Sequence, residues 1–393
     1  TPVYHEKNRF AKPILYYWMV VSSFKVFDVS LFSARFPSVI FGTLSIGLIF
    51  LLGKILFNRR VGLFSAFILP STYLHFQISR WSTTDMALNF FILFSTYIFV
   101  LMCDTKFEKK YFSYLFYLSL GLGFMIKGPP AILIPGLTIL GFLIFTKRKN
   151  WFNNLCIFEG LIILSIIILP WFITMYWMHG EEFKNHILGN EIKNRLVHDT
   201  PFSFYYVGVL IRYQLPWSLL LIFSALKQCA NFEFVNHKGV SFNHSIKALN
   251  KNIREYFQLF LKDKNEPVIF CCIWILVCLV LFTLLRVEHS RYMLPSCPAI
   301  AILTARIFAE MEENSFRKSI FGFWGITILT LLVFFVFSIL AGATIFKLES
   351  VPIEIYFLPA FLIFGAILLA CYFSIQSLKK LVITLAFVMV VIF

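Results

Sequence analysis

Apolar runs of bilayer length recur along the whole chain, separated by short polar segments. A helix that crosses the roughly 30 Å hydrocarbon core of a bilayer needs about 20 apolar residues. The runs predict spans at residues 34–56, 62–79, 84–103, 111–126, 129–146, 155–177, 204–226, 267–285, 292–309, 319–346, 355–376 and 381–393. Because helices satisfy their own backbone hydrogen bonds in lipid, we predict an all-α polytopic membrane protein with about 11–13 transmembrane helices.

The two ends of the chain differ from its middle. Residues 1–13 are polar, and Ile14 to Phe27 form an apolar, aromatic stretch that is too short to span and predicts a helix lying in the membrane interface. The chain starts at Thr1 and ends inside an apolar run, so we expect an N-terminally truncated fragment that lacks at least one transmembrane helix. We predict one domain over 1–393, with an outer loop and interfacial helix at 1–30, an outer loop at 179–203, a cytoplasmic loop at 227–266 and C-terminal spans at 319–393.

Composition supports the membrane assignment. Hydrophobic residues make up 59% of the 393 residues and charged residues 14%, whereas a soluble domain carries about a quarter charged residues. The net charge of +15 sits largely in short loops, where the positive-inside rule places it, so a membrane surface explains it better than nucleic acid does.

Loop charges predict which face each loop occupies. The basic loops alternate along the chain, so all of them can be cytoplasmic at once; they contain Lys54, Arg59, Arg60, Lys106, Lys109, Lys110, Lys147, Arg148, Lys149, the 227–264 segment, Arg317, Lys318, Lys379 and Lys380. The opposite loops carry the chemically varied residues: Lys12, Arg80, Asp85, Lys127, Glu191, Arg195, Arg291 and Tyr292. This arrangement predicts a site on the outer face.

Asp85, at the start of a predicted span, is open to two interpretations. A carboxylate there is favoured by the helix dipole, with Thr83 or Thr84 as N-cap. A carboxylate at the membrane edge beside Arg80 is equally a candidate for function. The residues around it leave both interpretations open.

The basic candidates also have plain structural explanations. Lys12 precedes the interfacial helix, as a snorkelling anchor would. Lys127 precedes a Gly-Pro-Pro turn and suits either a helix end or a phosphate contact. Arg291 and Tyr292 begin a span interrupted by prolines, and irregular backbone at membrane depth is typical of a cavity wall.

Other patterns exclude some functions. Glu191 and Arg195 are four residues apart and would share a helix face, where they pair with each other or face a ligand. The histidines His179, His186 and His198 fit no familiar metal spacing, and neither a P-loop nor a serine-nucleophile elbow occurs. Nucleotide-driven transport and serine hydrolysis therefore lose support.

Several strings, in order, resemble one family: FAKPILYYW, SARFPS, STTDMALNFF, MIKGPPAILIPG, LPW at 215–217 and RYMLPSCPAIAIL. They are similar to the aminoarabinose-transferase-like glycosyltransferases, which belong with the protein O-mannosyltransferases in the GT-C class. The resemblance covers about residues 1–310 and implies a GT-C-like bundle. It implies an inverting membrane enzyme that moves a hexosyl or pentosyl group from a polyprenyl-phosphate carrier to a lipid, such as lipid A, or to a protein.

The resemblance also implies roles for particular residues. Lys12 matches the lysine that contacts the carrier phosphate, Arg195 and Tyr292 match further phosphate contacts, and Asp85 matches a carboxylate of the active-site cavity. Position alone adds Arg291. We therefore expect Asp85 and Lys12 in catalysis, and Lys12, Arg195, Tyr292 and Arg291 at the phosphate, with Lys127, Glu191 and Arg80 as further candidates. The family implies an integral membrane protein of the bacterial inner (plasma) membrane, with its active site on the periplasmic face.

Two departures from the family pattern bear on cofactors. The metal ligands of the aminoarabinose branch are a glutamate and a histidine, and Ala11 and Ile192 stand in their places. We therefore expect no metal or other cofactor, and a different sugar or acceptor remains open. The family's catalytic carboxylate lies in a first outer loop that would precede Thr1.

Two other functions stay open at this stage. A transporter or lipid flippase would show related halves and ionisable residues near the bilayer midplane, and this sequence shows neither. A catalytically inactive scaffold would keep the fold and lack the carboxylate of the first loop.

Overall fold

The computed structural model describes residues 3–4, 7–8, 10, 12–103, 109–147, 155–187, 189, 204–222, 224, 266–286 and 288–313. This part of the chain is a helical bundle, preceded by an antiparallel pair of two-residue strands, β1 (Val3–Tyr4) and β2 (Lys7–Asn8). The predicted all-helical class is confirmed. The predicted cytoplasmic loop before Glu266 and the predicted spans from 319 to 393 lie outside the described residues.

The helices follow the predicted order. They are α1 (Leu15–Phe27), α2 (Leu31–Leu56), α3 (Arg59–Ser71), α4 (Tyr73–Ser79), α5 (Thr84–Cys103), α6 (Lys109–Lys127), α7 (Pro130–Phe145), α8 (Ile157–Asn185), α9 (Tyr205–Arg212), α10 (Glu266–Leu284), a 3-10 helix (Ser290–Ser296) and α11 (Cys297–Glu313). Among the described residues, five helical segments are long and apolar enough to cross a membrane, or six when α3 and α4 count as one broken span.

Local sequence explains where α2 and α3 begin. The Ser30 hydroxyl accepts from the Ser33 amide, and the Ser33 hydroxyl accepts from the Ser30 amide, which makes a reciprocal capping box. Asn58 caps α3 by accepting from the amide of Val61 at 3.0 Å. Between the two helices Gly53 and Gly62 meet, and a Cβ on Gly62 would lie 2.5 Å from the Phe50 carbonyl oxygen. Close antiparallel packing of α2 and α3 therefore depends on these glycines.

Three predicted spans are not continuous helices. The 62–79 span bends by 64° between α3 and α4, at Thr72. The 204–226 span is α9 followed by a turn with a cis Leu215–Pro216 bond and further helical residues at 217–222. The 292–309 span starts as the 3-10 helix that contains Pro295. The predicted interruption of the 292–309 span by proline is confirmed. The breaks in the other two spans were not predicted, because hydropathy does not report where tertiary contacts replace backbone hydrogen bonds.

Helix α5 is the centre of the bundle. It is largely buried and packs on α2, α6, α7 and the 3-10 helix, whereas α8 is mostly exposed along its length. The start of α5, the end of α6, the start of α7 and the end of α10 meet at one end of the bundle, because residues from all four line a common cleft. This end carries the candidate site.

Candidate functional site

Asp85 is the second residue of α5, and its side chain is only 6% exposed. The first-turn position favours a carboxylate through the positive end of the helix dipole. The hydroxyl of Thr83 is buried and makes no hydrogen bond in the described structure, so Thr83 does not cap this helix. Burial of a charge demands partners of opposite sign, and the structure supplies two.

The first partner is Lys127, the last residue of α6, whose side-chain amine is paired with the Oδ1 oxygen of Asp85. The Lys127 side chain is 10% exposed. The helix ends here because Gly128 takes a φ of +90°, a conformation that residues with a Cβ rarely adopt, and its amide donates to the Phe124 carbonyl at 2.7 Å. Pro129 and Pro130 then start α7. The Gly-Pro-Pro reversal therefore holds Lys127 against Asp85.

The second partner is Arg291, in the first turn of the 3-10 helix. Its Nε lies 4.0 Å from the Oδ2 oxygen of Asp85, and its side chain is 37% exposed toward the cleft. This Nε is buried and makes no hydrogen bond in the described structure, since 4.0 Å is beyond hydrogen-bond range. One carboxylate thus faces two cations, and the trio carries one net positive charge.

Tyr292 completes the group. The amine of Lys127 lies 4.6 Å from the centroid of the Tyr292 ring, a cation–π distance. The ring itself stacks on Phe282 of α10 with centroids 5.1 Å apart, and His289 meets it edge-on at 5.5 Å. Tyr292 is therefore fixed between α10 and the lysine.

These side chains stand at the polar end of an otherwise apolar cleft. Apolar residues form the remaining lining: Leu88, Pro130, Phe282, Leu285, Leu294 and Pro295. A cationic end joined to an apolar wall suits an amphiphilic ligand with an anionic head.

A hydrogen-bonded chain supports the start of α5, and sequence analysis did not assign it a role. The Tyr16 and Ser38 hydroxyls are 2.8 Å apart, and the Ser38 hydroxyl donates to the Thr83 carbonyl at 3.3 Å. Both side chains are buried. The signal was present in the family strings FAKPILYYW and SARFPS, which contain these two residues.

The structure brings together four of the predicted residues, Asp85, Lys127, Arg291 and Tyr292. Lys12 and Arg80 are not among the lining residues of the cleft. Lys12 is half-buried and follows Phe10, whose ring contacts His179 and Phe183 of α8. Arg80 is exposed, with its guanidinium 5.1 Å from the centroid of the Phe76 ring.

Other predicted positions lie outside the described residues: Ala11, Glu191, Ile192 and Arg195. Their predicted roles stay predictions. Across the ranges that the structure covers, no three His, Cys, Asp or Glu side chains come together as metal ligands would. The expected absence of a metal therefore remains an expectation.

Comparisons with known proteins agree with the resemblance. The family profile of dolichyl-phosphate-mannose-protein mannosyltransferases matches residues 11–176. An uncharacterized protein of Aquifex aeolicus is 24% identical over 385 residues, which cover 95% of this chain and 69% of that protein. The undecaprenyl phosphate-alpha-4-amino-4-deoxy-L-arabinose arabinosyl transferase of Pseudomonas aeruginosa (strain UCBPP-PA14) is 25% identical over 309 residues, 77% of this chain. The chain spans about half the length of that transferase.

The same likeness appears in three dimensions. The crystal structure of ArnT from Cupriavidus metallidurans bound to undecaprenyl phosphate superimposes with a TM-score of 0.77 at 18% sequence identity, covering 100% of this chain and 67% of that one. These findings confirm the predicted resemblance to the aminoarabinose-transferase-like group and the GT-C-like membrane fold.

Proposed function

We propose that this chain is the membrane part of a glycosyltransferase that takes a sugar from a polyprenyl-phosphate carrier and passes it to a lipid or protein acceptor. Two findings support the proposal: the arabinosyl transferase activity of the Pseudomonas aeruginosa relative and the undecaprenyl phosphate bound in the similar ArnT structure. We further propose that the active site lies on the outer, periplasmic face of a bacterial inner membrane.

The observation that carries the proposal is the meeting of Lys127 and Arg291 at the polar end of an apolar cleft. A polyprenyl phosphate has a head that needs cations and a tail that needs apolar walls. The Arg291 side chain is 37% exposed and lines the cleft, so its guanidinium offers donors that a phosphate oxygen can use. Charge-assisted hydrogen bonds of this kind are about twice as strong as neutral ones.

The same cations suit the chemistry of transfer. An acceptor oxygen attacks the anomeric carbon as the bond from that carbon to the phosphate oxygen breaks. The proton of an acceptor hydroxyl is released to water, and negative charge grows on the leaving phosphate. Fixed donors in a partly dry site stabilise such charge, and losing one typically costs about 10²–10³ in rate. Lys127, Arg291 and Tyr292 take this role. Lys12 and Arg195 are proposed as further phosphate contacts from the resemblance alone.

Asp85 then acts on the cations rather than as a proton acceptor. Its two carboxylate oxygens already face Lys127 and Arg291. A carboxylate so placed holds both cations in position before the carrier arrives. Asp85 is thereby a positioning residue, and its loss should damage binding of the phosphate more than the chemical step.

The alternatives fit less well. A transporter would place ionisable groups near the bilayer midplane, whereas this charged group stands at the helix ends. The Pseudomonas aeruginosa relative is an arabinosyl transferase, which also favours transfer over transport. An inactive scaffold would have no use for two cations at the polar end of an apolar cleft.

The decisive experiment uses full-length protein in proteoliposomes with undecaprenyl-phosphate sugars, each radiolabelled in the sugar, and a lipid extract of the source bacterium as acceptor. Transfer appears as label leaving the carrier together with release of undecaprenyl phosphate. We expect transfer from at least one sugar donor and at least a hundredfold loss in Lys127→Met. Movement of intact carrier between leaflets without cleavage would favour the flippase. Cleavage that Lys127→Met leaves unchanged would refute the site.

A further inference from the structure

The 3-10 helix that carries Arg291 and Tyr292 is held at both ends by one neighbouring segment. At its start, the His289 amide donates to the Tyr206 hydroxyl at 3.5 Å. At its end, the side-chain amide nitrogen of Gln214 donates to the Cys297 sulfur at 2.7 Å. Tyr206 belongs to α9, and Gln214 follows two residues after that helix ends. We call α9 and residues 213–217 the clamp.

The contacts of the clamp are deeply buried. Gln214 and Cys297 are fully buried, and Tyr206 is 2% exposed. The Cys297 thiol lies 3.9 Å from the Met293 carbonyl oxygen, within the reach of a sulfur hydrogen bond. Cys297 therefore links Gln214 to a residue inside the 3-10 helix. The amide oxygen of Gln214 makes no hydrogen bond in the described structure.

The clamp is itself fixed to the bundle. The Trp217 indole donates to the Ser71 hydroxyl at 3.1 Å, and Trp217 is 1% exposed. Ser71 ends α3, directly before the bend at Thr72. The clamp, which contains the LPW string, thus joins two irregular places in the fold. Trp217 contacts the end of α3 at the α3–α4 break, and Tyr206 and Gln214 contact the two ends of the 3-10 helix.

A 3-10 helix gains from external support because its hydrogen-bond geometry is poorer than that of an α-helix. Here the seven residues Ser290–Ser296 must present Arg291 to Asp85 at 4.0 Å and place the Tyr292 ring over Lys127. A shift of the 3-10 helix by one ångström would move both side chains away from the lysine and carboxylate at once.

We propose that Gln214 is a positioning residue that sets, through Cys297, where Arg291 and Tyr292 stand in the cleft. The inference rests on the proposed function for its kinetic consequence, and on the fold alone for its structural consequence. It gives Gln214, directly before the LPW string, a role in binding the carrier lipid although Gln214 does not line the cleft.

The kinetic test compares Gln214→Met, which keeps the volume and removes the donor, with Ser113→Ala. Ser113 is a matched control because its buried hydroxyl donates to the Leu155 carbonyl at 2.6 Å, near the opposite end of α6 from Lys127. Both variants lose one buried hydrogen bond, so we expect their melting temperatures to fall by similar amounts. Only Gln214→Met should raise the KM for the lipid-linked sugar, by about three- to tenfold, and it should also lower kcat, because the displaced side chains stabilise the charge on the leaving phosphate.

Variants at Cys297 sharpen the comparison. Cys297→Ser keeps a hydrogen-bond acceptor, so its KM should stay within about twofold of the wild-type value. Cys297→Ala removes the acceptor, so its KM should equal that of Gln214→Met. The double variant Gln214→Met with Cys297→Ala should be no worse than either alone, because both remove the same contact. Additive effects on KM, or equal effects of Ser113→Ala, would overturn the proposal.

Hydrogen exchange separates failure of the clamp from failure of the proposed function. In Gln214→Met, amides of 290–296 should exchange at least about threefold faster than in wild type, with no such change in Ser113→Ala. If wild type transfers no sugar, the proposed function fails, and this exchange result still decides the clamp. Unchanged exchange at 290–296 would overturn it, whatever the activity.

Discussion

The amine of Lys127 is paired with the carboxylate of Asp85, which starts a helix 42 residues earlier in the chain. Each residue sits where its own helix dipole favours its charge, the aspartate in a first turn and the lysine in a last turn. Their pairing joins α5 to α6 at the end of the bundle that carries the cleft.

This pair gives the first prediction. Removing one partner of a buried ion pair leaves the other charge uncompensated, which typically costs about 3–5 kcal/mol. Lys127→Met and Asp85→Leu should each destabilise the protein by roughly that amount, while the double variant should recover most of the loss. Denaturant unfolding in detergent micelles measures all three. A double variant that is as unstable as the two losses added together would show that the pair does not interact.

Arg291 gives the second prediction, about the phosphate. A hydrogen bond to a charged group contributes about 1.5–3 kcal/mol, so Arg291→Met should weaken binding of undecaprenyl phosphate by roughly tenfold to a hundredfold. The matched control is Arg306→Met. Arg306 pairs with Glu310 farther along α11 and away from the cleft. Titration of the lipid in detergent, followed by tryptophan fluorescence, measures both; equal affinities for the two variants would contradict a phosphate contact at Arg291.

Gly128 gives the third prediction, because its positive φ ends α6 directly after Lys127 and so fixes the position of that lysine. Gly128→Ala has open space for its Cβ but must adopt the left-handed backbone, at a cost of about 1–2 kcal/mol. We expect that loss of stability together with a fall in transfer rate, since the lysine shifts when the turn relaxes.

Gly136→Ala is the control for this backbone effect. Gly136 lies inside α7, also with open space around a Cβ, and its φ is not in the left-handed region. Alanine should there be neutral or stabilising by up to about 1 kcal/mol. Equal melting temperatures for Gly128→Ala and Gly136→Ala would disprove the assigned role of the turn.

Tyr16 gives the fourth prediction. Tyr16→Phe removes the hydroxyl that meets Ser38 and should cost about 0.5–1.5 kcal/mol. Because Ser38 in turn holds the Thr83 carbonyl, two residues before Asp85, transfer should also slow. Tyr17→Phe, at the neighbouring ring, should do neither. A wild-type transfer rate in Tyr16→Phe, measured at a temperature where the variant is fully folded, would show that this hydrogen bond does not position the site.

Much of the fold was predictable because span length follows from bilayer thickness. The predicted 84–103 and 267–285 spans match α5 and α10 within one residue. The breaks within individual helices were not predictable from hydropathy. Thr72 interrupts an apolar run, and the contacts around the break, such as Trp217 with Ser71, come from 146 residues away in the chain.

The candidate site was predictable in part for a related reason. Asp85, Arg291 and Tyr292 stand out as polar groups at span edges. Lys127 had an adequate explanation as a helix-end cation, and its pairing with Asp85 depends on the packing of α5 on α6, which local sequence does not encode. The helix-end and ligand interpretations of Lys127 prove compatible, since the same last-turn position brings its amine to the cleft.

The most direct test of the account is a structure of the full-length protein in lipid nanodiscs with undecaprenyl phosphate bound. The account predicts the phosphate at the polar end of the cleft, with oxygens about 2.7–2.9 Å from nitrogens of both Lys127 and Arg291, and the first isoprene units against Phe282 and Leu285. A phosphate that contacts neither cation, or one bound outside this cleft, would contradict it.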